Sequence, residues 1–150
     1  MSTEIRADFD VSNKPHVMLA DVPDALPVST VNSLKLAARK SSSEVCGFIT
    51  NRYDIVYVKN SHPEPDANFI MDAIDYKRAI EQIYVGEDKI IGVFHTHPDG
   101  SPHPSMNDIK GWPNEQLGWR YLIATPDEVY EYQYKNQPAN HGMWSGIPVQ

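Results

Sequence analysis

Cysteine is nearly absent: Cys46 stands alone in 150 residues. No intrachain disulfide can form, which excludes a disulfide-stapled scaffold and agrees with a reducing cytoplasm. No apolar run approaches the ~20 residues of a membrane-spanning helix, so no membrane partner is expected. Positive charge is scarce as well. Thirteen Lys and Arg against twenty Asp and Glu leave a formal net charge of −7. A chain that grips phosphates needs a basic face, so nucleic acid is not an expected partner. The opening residues, Met1 to Asp8, have neither a basic start nor an apolar stretch; no signal peptide is expected, and the expected location is cytoplasmic. Internal repeats and low-complexity tracts are also missing. What remains is ordinary for a globular chain, 41% hydrophobic and 22% charged. The length suits one domain with a real core.

Proline punctuation at Pro15, Pro23 and Pro27 marks residues 1–27 as an extension, mostly loop, with a possible edge strand at His16–Ala20. A helix is expected from Ser29 or Thr30 to about Lys40, capped by one of these hydroxyls, with Val31, Leu34, Leu36 and Ala37 on its apolar side. Glu44–Thr50 and Ile55–Lys59 read as a hairpin about the turn at 51–54. A loop follows, then a helix begun by Asp72 or Asp75 and running to about Tyr84, with Ile74, Ala79, Ile80 and Ile83 together. Ile90–Phe94 reads as a buried strand, Ser105 to about Trp112 as a short helix, and Arg120–Thr125 with Val129–Lys135 as a second hairpin. Residues 137–150 read as a surface tail. Helices interleaved with hairpins give an α/β (α+β) layer arrangement, a mixed, mostly antiparallel sheet flanked by helices.

The densest chemistry lies in His95-Thr96-His97-Pro98-Asp99-Gly100-Ser101-Pro102-His103-Pro104-Ser105-Met106-Asn107-Asp108. Side chains alternate along a strand, so His95 and His97 share one face. Two imidazoles so placed can bind one zinc ion, given a third ligand and an open position for water. Asp108, one turn into the short helix, is the candidate third ligand. Ser105 is placed to cap that helix. Thr96 falls on the opposite face. His103 lies in the loop and is expected at the surface, and Cys46, mid-strand among apolar residues, is expected to be an inert buried thiol.

This spacing resembles the signature of the JAMM (MPN+) metalloproteases, in which His-x-His is followed after seven residues by Ser-x-x-Asp. His95, His97, Ser105 and Asp108 fall in register with it. The resemblance implies a curved sheet with a helix on each side, the JAMM/MPN (cytidine deaminase-like) fold, over residues 28–136. It implies one zinc held by His95, His97 and Asp108, and a protein or peptide substrate. It also implies a catalytic glutamate on an earlier strand, and Glu44 in Ser43-Glu44-Val45-Cys46-Gly47-Phe48 matches it. The serine matching Ser105 acts near the oxyanion of the tetrahedral intermediate. The segment from Asn60 through Asn68-Phe69-Ile70-Met71-Asp72 looks like that of compact prokaryotic and phage members. Two settings follow: phage tail assembly, favoured by the style of the loop, and processing of a ubiquitin-like or sulfur-carrier protein. The alternative is a non-catalytic MPN scaffold for protein–protein contacts, whose mark is loss of ligands. Nothing in the sequence specifies an oligomeric state.

Overall fold

The computed structural model describes residues 25–110 and 118–132. The expected strand at His16–Ala20, Trp112 at the end of the short helix, the strand residues past Tyr132 and the tail lie outside the described residues. The described elements are α1 (Val28–Lys40), β1 (Cys46–Thr50), β2 (Ile55–Val58), α2 (Ala73–Val85), β3 (Ile90–Thr96), α3 (Met106–Lys110), β4 (Arg120–Ala124) and β5 (Val129–Tyr132). The five strands form one sheet in the order β2-β1-β3-β4-β5. All pairs are antiparallel except β3 with β4. That parallel pair requires a crossover, and residues 97–119, with α3 among them, make it. The architecture is therefore the expected one: a mixed, mostly antiparallel sheet flanked by helices.

Among the described residues three apolar clusters form on the sheet; the helices complete two of them, and Tyr121, Ile123 and Tyr132 make the third. Leu34 of α1 packs with Ile49, Phe94, Leu122, Ala124 and Val129. Ala79 and Ile83 of α2 pack with Phe48, Val58 and Ile90. Leu34 is wholly buried, which is worth roughly 2 kcal/mol. Gly47 is what lets the first cluster close. A Cβ there would lie 2.3 Å from the Val56 carbonyl oxygen and 2.9 Å from the Phe94 ring. Only a residue without a side chain fits between Phe94 and β2.

Helix details differ from the sequence expectation. α1 begins at Val28, with Pro27 at its N-cap and no side-chain cap. Thr30 does not cap, because its buried hydroxyl donates instead to the Tyr53 carbonyl at 2.9 Å. The helix buries Thr30, Leu34 and Ala38 while Leu36 is exposed. The sheet contacts thus follow the i, i+4, i+8 row, one step away from the side drawn from hydrophobicity alone. In α2 the expected Asp72 cap forms, its carboxylate accepting from the Asp75 N–H at 2.9 Å. Ile74, however, is exposed, since it sits in the first turn beyond the sheet cluster.

Candidate metal centre

β3 is the central strand, and His95 lies near its end, level with Cys46 of β1 and Ile123 of β4. His97 is one residue past the strand, yet its N–H still donates to the Ala124 carbonyl at 2.8 Å. The ladder is continued far enough to keep both imidazoles on one face. Their Nε2 atoms are 3.1 Å apart. One oxygen of Asp108, Oδ2, lies 3.1 Å from the His95 Nε2 and 3.0 Å from the His97 Nε2. Glu44 stands just before β1, and its Oε2 is 4.0 Å from the His97 Nε2. The ligand atoms of all four residues lie within 4.8 Å of one another, and all four side chains are buried, at 4–6% exposure.

A short helix and its loop deliver Asp108. Ser105 and Asp108 bond reciprocally: the Asp108 N–H donates to the Ser105 Oγ at 3.0 Å, and the Ser105 N–H donates to Asp108 Oδ2 at 2.8 Å. This is a capping box with aspartate in place of the usual glutamate, so the device that starts α3 also aims its carboxylate. The loop before it is tied to the sheet by the buried Tyr132 phenol, which donates to the Pro102 carbonyl. His103, in this loop, is partly buried rather than at the surface.

The geometry fits a cation. A tetrahedral ion with bonds of about 2.0–2.1 Å sets its ligand atoms roughly 3.3 Å apart. The triangle of His95 Nε2, His97 Nε2 and Asp108 Oδ2 has nearly those edges. The His97 Nδ1 lies 2.8 Å from the Ser101 carbonyl oxygen. A carbonyl only accepts, so Nδ1 carries a hydrogen, and with a metal bound the ring would turn a bare Nε2 toward the triangle. The Phe69 ring stacks on His95 at 4.4 Å and fixes its plane. The donor set of two imidazoles and one carboxylate, with room for water, suits zinc.

Electrostatics separate the two carboxylates. Burial works against ionised Asp108, but the facing imidazoles and the Ser105 N–H outweigh it and hold its carboxyl well below the usual range. Burial dominates at Glu44 and raises its pKa from 4.5 to about 7, with His97 opposing and Asp108 and Asp99 adding to the rise. Its Oε1 is buried and meets no hydrogen-bond partner among the described residues. Burial also lowers the pKa of His95, against the pull of Asp108. At His97 burial is outweighed by Asp108, the Ser101 carbonyl and Glu44, which raise it. One carboxylate is thus a fixed anion, the other poised to exchange a proton near neutrality.

The remaining candidates also find their places. Thr96, fully buried, accepts the Val45 N–H at 2.8 Å through its hydroxyl, tying β3 to the residue after Glu44. The Cys46 thiol donates to the Val58 carbonyl at 3.3 Å, and burial, with Glu44 and Asp75, pushes its pKa up to about 12. Burial thus keeps the thiol protonated, as expected of an inert buried cysteine. Trp119 packs edge-on to Phe48, 5.8 Å between ring centres. Sequence reasoning gave no role to Asn60 or Phe69, which act across space on Glu44 and His95. A largely apolar cavity of about 490 Å³ adjoins the cluster, with His95 and Asp108 in its wall beside Phe69, Met71, Tyr76 and Trp119.

Known proteins share this framework. Residues 31–136 match the family described as prokaryotic homologs of the JAB domain. A desampylase of Haloferax volcanii is 32% identical over 99 residues, covering 61% of this chain and 68% of that one. A desampylase of Pyrococcus furiosus is 28% identical over 95 residues, covering 59% and 67%. The solution structure of protein DSY2949 from Desulfitobacterium hafniense superposes with a TM-score of 0.59 at 22% identity, over 73% of this chain and 82% of that one, and shares the fold. No helix among the described residues is long and apolar enough to cross a membrane. With a family match spanning most of its length, the chain belongs to the prokaryotic homologues of the JAB domain, within the JAMM/MPN family.

Proposed function

We propose that the chain is a zinc-dependent peptidase or isopeptidase that hydrolyses an amide bond in a protein or peptide substrate. The observation that carries this reading is the buried cluster itself: a triangle of ligand atoms with edges of 3.0–3.1 Å and a carboxylate beside it with one oxygen unused. His95, His97 and Asp108 would hold the ion. Bound zinc supplies an acidified water and polarises a carbonyl. Glu44 is the general base. Its buried carboxylate stands beside the ligand triangle with Oε1 turned to no described residue, so it can accept a proton from water through Oε1 and release it to the leaving amine. Ser105 accepts the Asp108 N–H with its oxygen, which leaves its own hydrogen to donate to the developing oxyanion. The cavity beside His95 gives apolar substrate groups a place to lie.

The substrate class we favour is a ubiquitin-like or sulfur-carrier protein, cut after its C-terminal glycines. Relatives named desampylase support that setting, whereas the phage tail setting rests on loop style and gains nothing from them. Against the scaffold alternative, whose mark is loss of ligands, speaks the clustering of Glu44, His95, His97 and Asp108.

The test is metal content by elemental analysis beside cleavage of a linear fusion, a ubiquitin-like domain ending in two glycines joined to a reporter peptide. About one zinc per chain is expected, with cleavage lost on chelation and restored by zinc. Asp108→Ala should lose both. A wild-type chain that takes up no zinc, or that cleaves as well without it, would overturn the reading.

A further inference from the structure

Glu44 lies outside the strand ladder, so something other than sheet pairing must hold it. Its N–H donates to the Pro65 carbonyl at 2.7 Å, and its carbonyl accepts from the Asn60 Nδ2 at 2.8 Å. The Asn60 side chain does more. Nδ2 also donates to the Asn68 carbonyl at 3.0 Å, while Oδ1 accepts the N–H groups of His62 at 3.0 Å and Ile70 at 3.1 Å. All four partners are backbone groups with fixed roles, two carbonyls and two N–H groups. The amide orientation is therefore dictated by chemistry, and its hydrogen-bonding capacity is filled.

These bonds converge on the site from two directions. Asn68 and Ile70 flank Phe69, whose ring stacks on the ligand His95. The Asn68 side-chain oxygen accepts from the Asn107 Nδ2 at 2.9 Å, and Asn107 precedes the ligand Asp108. One half-buried amide thus joins the backbone of the base to the loop that walls the metal ligands.

We infer that Asn60 is a positioning residue for the hydrolysis: it sets the distance of Glu44 from the metal-ligand triangle by clamping the Glu44 carbonyl to the 61–70 loop. The inference rests on the peptidase reading above. Asn60 touches neither substrate nor metal ligand and acts through Glu44 and Phe69. General-base catalysis depends steeply on placement, and a displacement of about 1 Å can cost about 100-fold in rate. A loop anchor with no part in catalysis would instead change stability and leave turnover per folded molecule alone.

The variant that separates these roles is Asn60→Asp in the zinc-loaded full chain. It keeps the shape and the oxygen that accepts from His62 and Ile70, but removes both donors. With the glycine-terminated fusion as probe, kcat should fall about 10- to 100-fold, while KM stays within about 3-fold and zinc remains at about one per chain. Amide hydrogen exchange should quicken at Glu44, whose N–H bonds the same loop at Pro65, and leave the β3–β4 ladder unchanged. Unchanged kcat, or a loss of zinc equal to the loss of rate, would overturn the inference. If Asn60→Asp does not fold, Asn60→Ser tests the same clamp without added charge, since its short hydroxyl cannot span both carbonyls. Wild-type chain that cleaves nothing would strike the peptidase reading instead. In that case unchanged exchange at Glu44 in the variant would still refute the clamp.

Discussion

In metal-free protein, Glu44→Gln should remove a pH-dependent weakness of the fold. The wild-type carboxylate is buried with an oxygen that finds no partner among the described residues, and burial lifts its pKa from 4.5 to about 7. A raised carboxyl favours the folded state most when it is protonated. The contribution is therefore fully present below pH 4.5 and lost as pH rises through about 7. The gap between those two values corresponds to about 3 kcal/mol, an upper figure because the unfolded chain is not fully hydrated. Glutamine has the same shape and no charge to desolvate, so its own packing cost is the same at every pH. The assay is urea unfolding of both proteins with a chelator present, at pH 5 and at pH 8.5. The stability of wild type relative to Glu44→Gln should fall by about 2–3 kcal/mol between the two. Histidine titration occurs in both proteins, and the part of His97 that depends on Glu44 belongs to the measured difference. Parallel pH profiles would refute the claim that Glu44 is a desolvated, poised base. With zinc restored, the same variant should keep its metal and lose about 10²- to 10⁴-fold in kcat; loss of zinc would make Glu44 a ligand instead.

Two further substitutions probe the supports of the site. Ser105→Ala should lower stability by about 1 kcal/mol in a thermal melt, because the Asp108 N–H loses its cap. It should also reduce kcat about 100-fold if the hydroxyl meets the oxyanion; a melt shift with unchanged kcat would leave it a cap only. Gly47→Ala should destabilise by at least about 1–3 kcal/mol in urea, since a Cβ 2.3 Å from the Val56 carbonyl must force β1 and β2 apart. An unchanged midpoint would contradict the close packing around Phe94.

Much of the site was legible because it is local. His95, His97, Ser105 and Asp108 sit within one strand, one loop and the start of one helix, where period and capping rules apply directly. The sheet and its helices were readable for the same reason, from apolar runs and turn residues. Errors arose where a side chain had a distant partner. Thr30 looks like a cap in sequence, but the Tyr53 carbonyl takes its hydroxyl. Leu36 and Ile74 look like core, but the helices meet the sheet along other rows.

The sequence by itself determined which residues can ligate and that the two histidines share a face, because alternation along a strand is a property of the backbone. It also placed Ser105 as the cap of the helix that carries Asp108; that Asp108 returns the bond is the structure's finding. Only the tertiary structure decided that Glu44 joins them. That depends on β1 pairing with β3 in the register that sets Cys46 against His95, on Thr96 holding Val45, and on Asn60 and Pro65 holding the Glu44 backbone. A shift of one residue would turn each side chain of β1 to the other face. Register is chosen by burial summed over the whole sheet, which no short stretch of sequence contains.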